Sequence, residues 1–203
     1  MGGTISCILE QPPGYPGETG QSSNKKITDM ENQGYIVEPG TIRFERRLNA
    51  SLREVWAYLT ESDLRGKWLA KGEMELVKGG KVSLNFLHAE LSPHPGTAPE
   101  KYKEMSSGHS FTGKILAIDP PRLLSFTWDG GSEVTFELIQ SGDAVLLTVT
   151  HRLLPTDIES QASVLAGWHT HLDIFMAALS GQIPPNFWVR HTQLEKEYSH
   201  VKR

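Results

Sequence analysis

Eight histidines are the side chains of this chain best suited to acid–base or metal chemistry, and their spacing limits what they can do. His169 and His171 stand two apart, which on a helix sets their side chains about 200° from each other and makes joint chelation geometrically poor. They are not read as a metal site. His88 and His151 end strand patterns that face inward, and His109 borders a long loop; an imidazole placed so can orient a ligand in an otherwise apolar pocket. A histidine satisfied by backbone or water at a sheet edge is the commoner outcome for each of the three. The one cysteine, Cys7, supports neither an internal disulfide nor a thiolate metal cluster. The chain has no G-x-S-x-G elbow, H-E-x-x-H zinc helix, Walker loop or dinucleotide fingerprint. Glu90, Glu100 and Glu104 fall in a loop, where nothing aligns two of them as a catalytic pair. With no nucleophile, base or metal to name, the reading leans away from an enzyme, and no cofactor is expected.

The aromatic residues say more. Trp68, Phe86, Phe111, Phe126, Trp128, Phe136, Trp168 and Phe175 are all placed to point toward one interior space, where large rigid rings either line a cavity or fill a core. Gly113, inward and without a side chain, either leaves room for a ligand or relieves sheet curvature.

These residues are positioned by a long helix and a series of short strands. From Thr156 to Gly181 apolar residues recur at Ile158, Ala162, Leu165, Trp168, Leu172, Met176 and Leu179, one stripe at 3.6 residues per turn. Thr156 and Glu159 form a capping-box pair at its start, Gly181 suits the left-handed position at its end, and Pro184–Pro185 prevents continuation. Upstream, Ile42, Phe44, Arg46 and Leu48 alternate as a half-buried strand with one inward polar position. A second capping box, Ser51 and Glu54, opens a short helix with Leu52, Val55, Trp56 and Leu59 on its apolar face, followed by a shorter helical piece near Asp63–Trp68. Six strand patterns then run between Gly-, Pro- or Asp-rich turns: Met74–Leu76, Val82–His88, Phe111–Ala117, Leu124–Trp128, Val134–Leu138 and Val145–His151. Sequential hairpins imply an antiparallel meander with one face covered by the helix, an α+β class of order β-α-α-β6-α. Residues 89–109 interrupt the rhythm as a loop long enough to act as a lid. Phe187, His191, Leu194, Tyr198 and Val201 suggest an extra C-terminal helix packed on the outside.

Composition sets the outer bounds. The 203 residues divide into a flexible leader, 1–33, a folded domain, 34–183, and a helical extension, 184–203. A net charge of −4 offers no basic field to phosphate backbones, so no nucleic-acid partner is expected. No transmembrane segment or secretory signal is read in the sequence, and the expected location is cytoplasmic. Gly2, Ser6 and Cys7 match a lipidation pattern only loosely, and an inert tail is the commoner meaning of such a match.

The element order and three local patterns resemble the START-like or Bet v 1-like (SRPBCC) superfamily, most closely the branch related to the C-terminal domain of the activator of Hsp90 ATPase. The patterns are Ala50-Ser51-Leu52-Arg53-Glu54-Val55-Trp56, Asp119-Pro120-Pro121-Arg122-Leu123-Leu124-Ser125-Phe126-Thr127-Trp128, and Gly167-Trp168-His169 with Leu172. The likeness covers about residues 42–181, and Pro185-Asn186-Phe187-Trp188 also resembles bacterial members. It implies a helix-grip fold, in which a curved antiparallel sheet of about seven strands wraps the long helix around an apolar cavity. Superfamily members bind lipids, polyketides, hormones or other hydrophobic compounds, and a few are cyclases or hydrolases. Co-chaperones of the Hsp90-activator type resemble this chain only in their second domain; their chaperone-engaging N-terminal domain finds no counterpart in this sequence.

The expected function is therefore binding of a small hydrophobic or amphipathic molecule, lipids included, beneath the long helix. Trp68, Phe86, Trp128 and Trp168 form the walls, Phe111, Phe126, Phe136, Leu165 and Leu172 complete the lining, and His88 and His151 supply polar contacts. Burying about 300 Å² of apolar ligand is worth about 7 kcal/mol before association costs, enough for micromolar-range binding at best. Two alternatives stand beside it: a stress-related protein-interaction module acting on a chaperone or client, and a cyclase- or hydrolase-like enzyme using the same cavity.

Overall fold

The computed structural model describes residues 32–94 and 96–200. The leader and its acylation pattern lie almost wholly outside these residues, as does Val201. Seven strands form one antiparallel sheet: β1 (Tyr35–Glu38), β2 (Thr41–Leu48), β3 (Lys81–Phe86), β4 (His109–Asp119), β5 (Leu123–Thr127), β6 (Glu133–Ser141) and β7 (Ala144–Arg152), in the order β1-β2-β7-β6-β5-β4-β3. The meander from β4 to β7 consists of hairpins, as the turn spacing predicts, while β3 and β4 are joined by the long segment 87–108, and a register shift between Ile115 and Ala117 marks a bulge of the kind that bends a sheet. Inward-facing Ile42, Phe44, Val82, Leu84, Val134, Phe136, Leu147 and Val149 are buried, so one face of the sheet carries the core.

Two helices, α1 (Leu52–Thr60) and α2 (Ser62–Arg65), connect β2 to β3. Ser51 caps α1 by accepting from Glu54 N, as its capping box predicts. Arg65 is buried and ties this pair to the following segment, donating to the carbonyls of Thr60, Ala70 and Gly72. The long helix α3 (Ile158–Leu179) crosses the sheet, and α4 (Phe187–Ser199) packs along it. The class is α+β with a helix-grip arrangement and an extra C-terminal helix, as expected.

The element order differs from expectation in one place. The segment Met74–Leu76 is not a strand; the stretch from Lys71 to Glu75 runs beside β3 through the isolated bridges Lys71↔Asn85 and Met74↔Val82 and backbone bonds such as Glu75 N to Lys81 O, without forming a regular ladder, and Gly72 within it sits at φ 131°. The seventh strand is instead β1, so the order is β-β-α-α-β5-α-α. The cap of α3 also shifts by one residue. Asp157, not Thr156, is the N-cap, accepting from Ser160 N at 2.8 Å, and an aspartate caps at least as well as a threonine. Gly181 does take the left-handed conformation past the helix end, at φ 65°.

The single apolar stripe read on α3 is also too narrow a description. Ile158 is exposed, while His169, Thr170, Ile174 and Ala177, off that stripe, are buried. The reason is α4, which covers a second side of α3 through Phe187, Trp188, His191, Leu194 and Tyr198. Among the described residues no helix is long and apolar enough to cross a membrane.

Candidate functional site

A partly open cavity of about 230 Å³ lies between the sheet, α3 and α4. Its apolar walls are rings that brace one another. Phe86 stacks on Phe111 at 5.8 Å and meets Trp128 edge-on at 5.7 Å, and Trp128 lies 5.2 Å from Trp168. Offset and edge-on contacts of this kind hold each ring in place, so the walls keep their shape instead of folding into the hollow. A second, more polar hollow of about 410 Å³ runs along β3, past Lys71, Asn85 and Glu90, and shares Leu69, Phe86 and His109 with the first.

The helix side of the cavity is opened by a missing side chain. Gly167 sits in the interior of the 22-residue α3, borders the hollow, and a Cβ built on it would meet nothing within 4 Å. A glycine inside a helix costs about 1 kcal/mol relative to alanine. Packing does not require it here, since the space beside it is empty. Gly113 is the opposite case. A Cβ there would lie 2.1 Å from the carbonyl oxygen of Thr127, so this glycine admits the neighbouring β5 backbone and opens no room for a ligand.

The histidines divide by how their nitrogens are used. His151 Nδ1 accepts from Trp168 Nε1 at 2.9 Å, which fixes the proton on Nε2, 2.9 Å from Ser132 Oγ; Ser132 Oγ in turn donates to Asp129 O at 2.8 Å. His151 is therefore neutral and fully bonded. Burial pushes its pKa down to about 3. It locks Trp168 to the turn Asp129–Gly131 and leaves no ring nitrogen for a ligand. His171 Nδ1 lies 2.7 Å from the Trp68 carbonyl, an acceptor, so Nδ1 carries the proton and Nε2 is left as a lone-pair acceptor. His88 stacks on Phe187 at 4.0 Å and lies 5.6 Å from His171. Burial first, then repulsion from neighbouring imidazoles, lowers His88 to about 4 and His171 to about 3, and burial lowers His191 as well.

Expected outcome for the lock: His151→Ala leaves the buried Trp168 N–H without its acceptor and lowers unfolding stability by about 3 kcal/mol in urea titration. A loss below about 1 kcal/mol would mean the bond does not hold Trp168.

Of the residues expected to line the cavity, Phe86, His88, Phe111, Trp128, His151 and Trp168 border it. Trp68, Phe126, Phe136, Leu165 and Leu172 lie in the core around it: Trp68 stacks on Phe175 at 4.5 Å and donates Nε1–H to Tyr58 O, and Phe126 packs on Phe136. His169 points the other way, to Tyr198 OH at 2.8 Å, so the two helical histidines diverge as their spacing requires. Sequence reasoning missed Tyr102, Ser163, Gly167, Phe187, Trp188 and His191. Phe187 and His191 are one helical turn apart, but that stripe read as an outer helix. It is in fact a wall of the cavity.

Residues 49–180 match the family described as activator of Hsp90 ATPase homolog 1-like protein. The chain belongs to that family. A Bordetella parapertussis protein solved by NMR is 36% identical, with 84% of this chain and 91% of that one aligned at a TM-score of 0.71. CalU16 from Micromonospora echinospora is 23% identical over 83% of this chain and 96% of its own, TM-score 0.56. A conserved Enterococcus faecalis protein of unknown function is 19% identical over 91% and 100%, TM-score 0.59. These last two share the fold. No curated protein matches at a significant level. This START-like, activator of Hsp90 ATPase homolog 1-like fold commonly serves ligand binding or Hsp90 activation. The family match ends at residue 180, so the α4 residues Phe187, Trp188 and His191, which close one wall, lie beyond the family segment.

Proposed function

We propose that the protein binds a small hydrophobic or amphipathic molecule in the cavity between the sheet, α3 and α4. The observation that carries this reading is the unfilled space beside Gly167, bordered by braced aromatic rings. Natural interiors are close-packed, and an apolar hollow kept open at the expense of helix stability is best explained by a guest. Desolvation of that guest supplies most of its affinity. A cytoplasmic location accords with the single cysteine.

The segment 89–109 serves as the lid. It carries the 3-10 turn Glu100–Ser107, and Tyr102 bonds through its hydroxyl to Ser163 on α3 and Glu195 on α4 while its ring stacks on Trp188 at 5.6 Å. Lys101 pairs with the same Glu195 at 2.7 Å. Tyr102→Phe removes the hydroxyl and keeps the ring. It is expected to raise the ligand dissociation rate about tenfold, equivalent to about 1.4 kcal/mol, in stopped-flow measurements; an unchanged rate would remove the segment from the gating role.

The reading is tested by native mass spectrometry of freshly purified protein, followed by denaturing extraction. A mass increment that disappears on denaturation, matched by an extracted hydrophobe, is the expected result. Protein of unadorned mass that also takes up no ligand from a panel of apolar compounds would refute it.

A further inference from the structure

The ligand's charge can be inferred from what the cavity does not contain. Among the described residues that border it there is no lysine or arginine, and the only carboxylate is Asp129, held at the rim by His109 Nε2 at 2.9 Å. The polar groups farther in are hydroxyls and imidazoles. The tautomer of His151 is fixed by its two bonds, that of His171 by the Trp68 carbonyl, and His88 lies face to face with the Phe187 ring. Tyr102 and Ser163 bond to each other across the far wall. No group on this list offers a counter-ion.

We propose that this cavity selects an uncharged aromatic compound bearing a hydroxyl group and rejects the corresponding carboxylate. This rests on the cavity being a binding site at all. A carboxylate entering would lose its hydration without gaining a cation, and it would pass Asp129 at the rim. A neutral hydroxyl donates to the Nε2 lone pair of His171, which the bond from Nδ1 to the Trp68 carbonyl leaves as the acceptor side of a ring that borders the hollow. Flat rings fit the remaining surface, because Phe86, Phe111, Trp128 and Trp168 present faces and edges in the offsets that aromatic guests adopt. The volume of about 230 Å³ is below the roughly 300–1,000 Å³ of drug-sized sites, which suits one or two fused rings. The histidines support the same conclusion, since burial keeps those of the inner wall neutral at pH 7.

The test is calorimetric titration of the full chain at pH 7.5 with 2-naphthol, 2-naphthoate and 2-methoxynaphthalene, repeated on Gly167→Leu. The expected result is 2-naphthol binding at least tenfold tighter than 2-naphthoate and several-fold tighter than the methoxy compound, with all binding lost in the variant. Naphthoate binding as tightly as naphthol, with both lost in Gly167→Leu, would overturn the charge selection and leave the cavity reading standing. Methoxynaphthalene equal to naphthol would overturn the role given to the hydroxyl. Failure of all three probes to bind, or binding indifferent to Gly167→Leu, would overturn both the selection and the cavity reading beneath it.

Discussion

Replacing Gly167 with leucine is expected to weaken cavity binding at least a hundredfold while leaving the protein as stable as before or more so. The two effects have the same cause. Nothing stands within 4 Å of a Cβ at this position, so a leucine side chain meets no clash and extends into the hollow the ligand would occupy. It also removes a helix-interior glycine, a gain of about 1 kcal/mol in propensity, and buries apolar atoms against Trp168 and its neighbours. Core substitutions normally lose stability and function together. Here thermal unfolding and ligand titration are expected to move in opposite directions. A variant that unfolds several degrees earlier would show that the space is already needed by the protein's own packing, and one that binds normally would show that the ligand sits elsewhere.

Acid is expected to begin unfolding this protein above the pH at which carboxylates titrate. His88 is lowered to about 4, and His151, His169 and His171 to about 3, in each case chiefly by burial, and His191 is lowered too. An unfolded histidine titrates near 6.5, so below that pH the unfolded chain binds protons that the folded chain refuses. The stabilisation is complete above about 6.5 and is lost as pH falls toward the folded values, at about 1.4 kcal/mol per pH unit per histidine. At pH 5 four such residues together approach the roughly 5–15 kcal/mol total stability of a typical domain. Circular dichroism and tryptophan fluorescence should report cooperative loss of structure between about pH 6 and 4. His171→Asn, which keeps a polar side chain but cannot titrate, should shift that midpoint to lower pH. A native signal persisting at pH 3.5 would show that these imidazoles ionise in place.

The fold was more legible than the site, for identifiable reasons. Alternation in β2 and β7, the hairpin turns and the stripe on α3 are local patterns, and each maps to an observed element. β1 was invisible because Tyr35, Ile36 and Val37 are exposed, all about 40–45%, so no alternation marks an edge strand of this kind. Met74–Leu76 looks like a strand because an apolar pair before Gly79–Gly80 mimics half a hairpin, but its pairing with β3 stops at an isolated bridge, Met74↔Val82.

At the site, an inward-facing aromatic can be read from periodicity, but whether it meets space or another side chain depends on partners far along the chain. Phe86 and Phe126 have the same pattern; one borders the cavity and the other is sealed in the core. Trp188 and His191 belong to the site only because α4 folds back along α3, a tertiary event without local signal. The one legible clue was Gly167 itself. An isolated glycine in an otherwise strong helix has a packing or functional reason, and the structure shows the reason is not packing.

The most direct measurement is an isotope-filtered NMR experiment on labelled full-length protein saturated with unlabelled 2-naphthol. Intermolecular NOEs from the naphthol ring to the Gly167 Hα protons and to the indole protons of Trp128 and Trp168 are the predicted result. NOEs confined to other surfaces, or none at saturation with those indole resonances unshifted, would contradict a guest-sized hollow beneath α3.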